Sequence, residues 1–138
     1  MRDVEPREAH DLMRRGSVYL DVRTVEEFEQ GHPPGAFNIP AFVRGPRGME
    51  PNPEFVGVVR RHFPEDVHFL VGCASGRRSS MACELLRAAG YTNLTNVVGG
   101  FGGVRDEQGH LITPGWRDEG LPVSTSDEGR DYASLRGA

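Results

Sequence analysis

Apolar positions fall partly at helical spacing and partly in short continuous runs, which predicts helices interleaved with strands. Residues 6–15 read as a helix. Pro6 suits a first turn, Ala9, Leu12 and Met13 form an apolar stripe, and Gly16 ends it. Val18 to Val22 reads as a strand. Thr24 then caps a short helix, and Glu27, three residues on, completes a capping box. Gly31 to Gly35 is a turn cluster, and Ala36 to Ile39 a short extended piece ended by Pro40. Residues 44–53 hold Gly45, Pro46, Gly48, Pro51 and Pro53 and read as a loop. Asn52 and Pro53 start a third helix, with Phe55, Val56, Val59 and Phe63 on its apolar face. Val67 to Val71 is too apolar to alternate, as expected of a central strand covered on both faces. Ser79 or Ser80 caps a helix ending at Gly90. Leu94 to Val98 is the next strand, closed by Gly99 and Gly100. After Val123 the chain turns polar, and residues 126–138 read as a tail with little to bury.

Strands alternating with helices of about ten residues argue for an α/β fold: a parallel sheet with helices on both faces. In such sheets ligands bind beyond the carboxyl ends of the strands. The chain has 138 residues, enough for one domain with a real core. Its 18 glycines and 10 prolines imply many turns. The net charge is −4 with both signs interspersed, which argues against a nucleic-acid surface. All 16 basic residues are arginine, a bias that carries no functional weight. No run approaches the ~20 apolar residues of a membrane helix. The first residues lack the apolar region of a secretory signal. Two cysteines, Cys73 and Cys83, make no disulfide framework. A reducing cytoplasm is therefore the expected location.

The chemistry concentrates at Cys73. An apolar run ends there, a short loop of Ala74, Ser75, Gly76 and Arg77 follows, and Arg78 and Ser79 lead into a helical pattern. A thiol is thereby placed between the carboxyl end of a buried strand and a helix amino terminus. Loops of this kind aim backbone N–H groups inward, and anions bind at such nests. Positive charge and the helix dipole favour thiolate over thiol, so Cys73 is expected to be a nucleophile rather than a packed small hydrophobe.

Three stretches in order resemble the rhodanese family, as single-domain sulfurtransferases. They are Asp21-Val-Arg23-x3-Glu27-Phe28-x2-Gly31-His32-x2-Gly35-Ala36-x-Asn38-Ile39-Pro40, then Cys73-x2-Gly76-x-Arg78-Ser79, then Gly99-Gly100 with Trp116 and Gly120-Leu121-Pro122-Val123. The resemblance implies a rhodanese-like domain over residues 1–125, built on a five-stranded, mostly parallel sheet. It also implies a catalytic cysteine that takes sulfane sulfur from a donor, becomes a persulfide, and passes the sulfur to a thiophilic acceptor. Two departures stand out. Pro33 replaces an aliphatic residue, and residues 101–115 separate the glycine pair from Trp116, with a hairpin turn at Asp106 to Gly109. That insertion is an edge decoration or a lid.

On this reading thiosulfate or a persulfide is the donor and cyanide or a thiol the acceptor, with no metal or other cofactor, no nucleic acid and no membrane. A sulfur-accepting protein is a further partner if Cys73 serves a relay. The backbone N–H groups of residues 74–79 hold the persulfide. Gly76 allows a positive φ. Arg78 orients the donor's oxygens, while Arg77 either helps or only attracts anions. Ser79 caps the helix or offers its hydroxyl to sulfur. A cysteine phosphatase or arsenate reductase-like enzyme would need Cys-x5-Arg. Here the arginine comes one residue earlier, as Cys73-x4-Arg78, a loop better sized for a sulfur atom than for phosphate. Asp21 and Arg23 read as an ion pair, with Glu27 as a further partner. His32 and Trp116 read as structural, and Cys83 as a packed residue.

Overall fold

The computed structural model describes residues 2–137. In chain order the elements are β1 (Arg2–Val4), α1 (Pro6–Arg14), β2 (Val18–Asp21), α2 (Val25–Gln30), β3 (Phe37–Asn38), β4 (Phe42–Gly45), β5 (Gly48–Pro51), α3 (Phe55–His62), β6 (Phe69–Gly72), α4 (Arg77–Ala88), β7 (Leu94–Val97), β8 (Val104–Arg105), β9 (Leu111–Thr113) and α5 (Tyr132–Arg136). Five strands form one sheet in the order β1-β7-β6-β2-β3. Every pairing in it is parallel. β6 is the central strand, and all four of its residues are buried, as its unbroken apolar run predicts.

Side chains of successive strand residues point to opposite faces, so the sheet feeds two cores. Leu20, Val22, Phe69 and Val71 pack with Phe55, Val58 and Val59 of α3 and with Ala82, Cys83 and Leu86 of α4. Tyr19, Leu70 and Val97 pack on the other face with Ala9, Leu12 and Met13 of α1 and with Trp116. Trp116 is fully buried, and its indole N–H donates to the Pro122 carbonyl at 2.6 Å. Among the described residues no helix is long and apolar enough to cross a membrane.

Four local expectations need correction, and one strand escaped the pattern. Residues 44–53 are not a loop. β4 and β5 pair antiparallel around the two-residue tip Pro46-Arg47, so the Gly-Pro cluster marks a hairpin turn rather than irregular chain. α3 starts at Phe55, and Asn52 precedes it. The Asn52 side chain accepts the Glu54 N–H at 3.0 Å and donates to the Pro40 carbonyl and the Tyr132 hydroxyl. α4 starts at Arg77, with Gly76 in the N-cap position. Ser79 and Ser80 therefore lie inside its first turn, where both hydroxyls face the Gly76 carbonyl. β1 was invisible in the pattern because three residues carry no periodicity. Finally, residues 126–138 do bury side chains: Tyr132 and Leu135 of α5 enter the core beside α3.

Candidate active site

The central strand delivers Cys73 to the carboxyl edge of the sheet, flanked by the ends of β2 and β7. The thiol is 1 % exposed. Its sulfur accepts the Gly76 N–H at 3.0 Å and the Ser79 N–H at 3.3 Å. Gly76 has no side chain with which to cap α4, and the Cys73 sulfur takes over that function. It receives the N–H of the third helical residue, the bond an N-cap oxygen ordinarily makes. The turn is possible because Gly76 sits at φ +105°, where L side chains are strained.

The loop is clamped from behind. The Phe101 N–H donates to the Cys73 carbonyl at 2.7 Å and the Gly102 N–H to the Ala74 carbonyl at 2.8 Å. A side chain at Gly100 would collide with those same two carbonyls. Gly100 is thus the contact that lets this segment lie directly against the cysteine loop, while Gly99 packs against the Pro114 carbonyl.

Of the predicted site residues, Ser79 is buried, Ala74, Gly76 and Arg78 are half-buried, and Ser75 and Arg77 are exposed. Arg78 is not free. Its two terminal nitrogens grip Glu27 at 2.7 and 2.9 Å, leaving three of the five guanidinium N–H donors for an anion. Glu27 was expected beside Arg23. It completes the capping box with Thr24 as predicted, but its charge partner comes from α4. Burial opposes its ionised form, yet the Arg78 and Thr24 hydrogen bonds prevail and hold the Glu27 carboxyl down at about 2. Asp21 and Arg23 form the expected buried pair, at 2.7 Å. Asp21 also accepts the Arg23 backbone N–H, and the Arg23 guanidinium lies 4.3 Å from the centre of the Phe101 ring.

Beside them opens a cleft of about 190 Å³ lined by Arg23, Glu27, Ala74, Phe101, Gly102 and Arg117. At about 30 Å³ per water it admits a small anion. A larger hollow of about 590 Å³, between α3 and α5, is lined by Glu54, Arg61 and Arg136 and has no nucleophile. Cys83 is fully buried behind the loop, and burial pushes its thiol up to about 12. His32 stacks on Phe28 with ring centres 3.7 Å apart, and its ring nitrogens face the Phe28 and Ser126 carbonyls. Among the described residues no three His, Cys, Asp or Glu side chains gather as a metal site. Sequence reasoning missed Phe101, Gly102, Asn96 and Asp3, because each reaches the loop only through sheet register or chain crossing.

A family profile described as Rhodanese-like domain matches residues 5–107. Thiosulfate sulfurtransferase 16, chloroplastic, of Arabidopsis thaliana is 44 % identical over 115 residues, 83 % of this chain and 86 % of that one. Rhodanese-like domain-containing protein 15, chloroplastic, of the same plant is 43 % identical over 71 % of this chain and 54 % of its own length. The crystal structure of Rv0390 from M. tuberculosis superimposes with a TM-score of 0.73 at 28 % identity, covering 91 % of this chain and 98 % of that one. The cytoplasmic expectation is corrected by the two plant relatives, which are chloroplast proteins. Profile, relatives and fold agree, and the chain belongs to the rhodanese-like domain family.

Proposed function

We propose that the protein is a sulfurtransferase of the thiosulfate type, with Cys73 as its nucleophile. The observation that carries this reading is the pair of backbone N–H groups, from Gly76 and Ser79, aimed at the Cys73 sulfur. Donors fixed in place before the reaction stabilise charge on sulfur without reorganising. The Cys73 thiolate attacks the outer sulfur of thiosulfate. The S–S bond of the donor breaks, and sulfite leaves with its electron pair. The terminal sulfur of the Cys73 persulfide is then attacked by cyanide or by a thiolate, and the Cys73 thiolate is regained. The Arg23 and Arg117 side chains line the neighbouring cleft and give it positive charge for an anionic donor.

Mass spectrometry tests the reading. Thiosulfate should add about +32 Da to Cys73, and cyanide should remove it with release of thiocyanate. An adduct undiminished in Cys73→Ser sinks the proposal. An adduct that cyanide leaves untouched, but that a protein thiol removes, replaces turnover with a relay.

A further inference from the structure

The Cys73 sulfur has one more polar neighbour, the Ser79 hydroxyl at 3.5 Å. A hydroxyl has a single hydrogen to give. The other partners of the Ser79 Oγ are the Gly76 carbonyl at 3.0 Å and the Asn96 side-chain oxygen at 2.5 Å. Both only accept. The orientation of the Asn96 amide is set from its far side, where its NH₂ donates to the Asp3 carboxylate at 3.2 Å. Asp3 and Asn96 are register partners on β1 and β7, so sheet pairing itself puts them side by side. A carboxylate accepts only. The NH₂ must therefore face Asp3, the amide oxygen must face Ser79, and the Ser79 hydrogen points away from sulfur. What Ser79 presents to Cys73 is a lone pair, which suits a thiol S–H and opposes a thiolate.

We infer that Asp3 and Asn96 are positioning residues that fix the direction of the Ser79 hydroxyl, and that they thereby restrain the nucleophilicity of Cys73. The inference rests on the proposed sulfur chemistry only for its consequence, not for its geometry. Among charged and titratable groups, Arg78, Tyr19 and Cys83 also act on Cys73 electrostatically, but the polar partners of the Ser79 hydroxyl are Cys73, Gly76 and Asn96. Once the amide can turn, its NH₂ faces Ser79, and the Ser79 hydrogen has the Gly76 carbonyl and the Cys73 sulfur as its acceptors. A hydrogen bond to a charged acceptor is the stronger kind, so the thiolate gains.

The readout is the pH profile of iodoacetamide alkylation at Cys73. Asp3 is exposed on an edge strand, so Asp3→Ala spares the core. It should raise the alkylation rate near neutral pH about fivefold, the worth of one modest hydrogen bond, and move the profile to lower pH. Asn96→Ala should do the same. The Asp3→Ala effect should vanish in a Ser79→Ala background, as coupled residues in a double-mutant cycle require. Equal acceleration with and without Ser79 would mean that Asp3 acts only through its charge, which overturns the inference; so would no acceleration at all. Failure to form the thiosulfate adduct, with the alkylation cycle behaving as stated, would instead defeat the proposed function and leave this inference standing.

Discussion

Glu27 shows how much one side chain can join. Its carboxylate closes the capping box of α2 and also holds Arg78, on the first turn of α4, fifty-one residues along the chain. The first role was legible in Thr24-x2-Glu27, because a capping box is a local pattern. The second was not, because it depends on where the sheet places two helices. A carboxyl held at about 2, against an ordinary 4.5, stabilises the fold fully above the unfolded value and loses that contribution as pH falls toward 2. Glu27→Gln keeps an acceptor for the cap and removes the charge. Thermal melts over that acid range should show the variant's stability falling less steeply than the parent's. Identical slopes would mean that the Arg78 pair contributes nothing to acid stability.

At the scale of elements, the alternation of apolar runs and helical stripes was enough to find α1, β2, α2, β6, α4 and β7 within a residue or two at most ends. Those are the elements with five or more patterned positions or a cap. The β4–β5 hairpin and β1 escaped because short, partly exposed strands leave little hydrophobic imprint. The start of α4 escaped for a more specific reason. A cysteine sulfur is an unusual N-terminal acceptor, so the serines looked like better caps than they are. The inserted segment does form the expected hairpin, β8 with β9, and its turn closes on Asp106 and Gly109. Its two ends meet, with the Gly103 and Gly115 backbones in contact. Joining Gly103 directly to Gly115 would excise residues 104–114 with little movement of the flanking chain. If the hairpin is decoration, the shortened protein keeps its cooperative melt and forms the thiosulfate adduct within about twofold of the parent rate, since surface insertions are generally tolerated. A folded protein that has lost the adduct would identify the hairpin as part of the site.

Across the whole molecule, the chain's two ends complete what the middle begins. α5 closes one core with Tyr132 and Leu135, and β1 adds the outermost strand of the sheet. A variant ending at Arg130 keeps the hydrogen bond from Asn38 to the Arg130 carbonyl but loses both buried side chains. The expected cost is about 3 kcal/mol, or a Tm drop on the order of 10 °C, read by calorimetry; an unchanged Tm would show that α5 adds no stability. The position of β1 has a consequence in time. Its register partners on β7 lie more than ninety residues downstream. At about 5–20 residues per second, a ribosome takes roughly ten seconds to deliver the strand that β1 must join. Of the five strands of this sheet, Arg2–Val4 is made first yet can be seated only once β7 exists, and the growing sheet carries an open flank until synthesis has passed the cysteine itself.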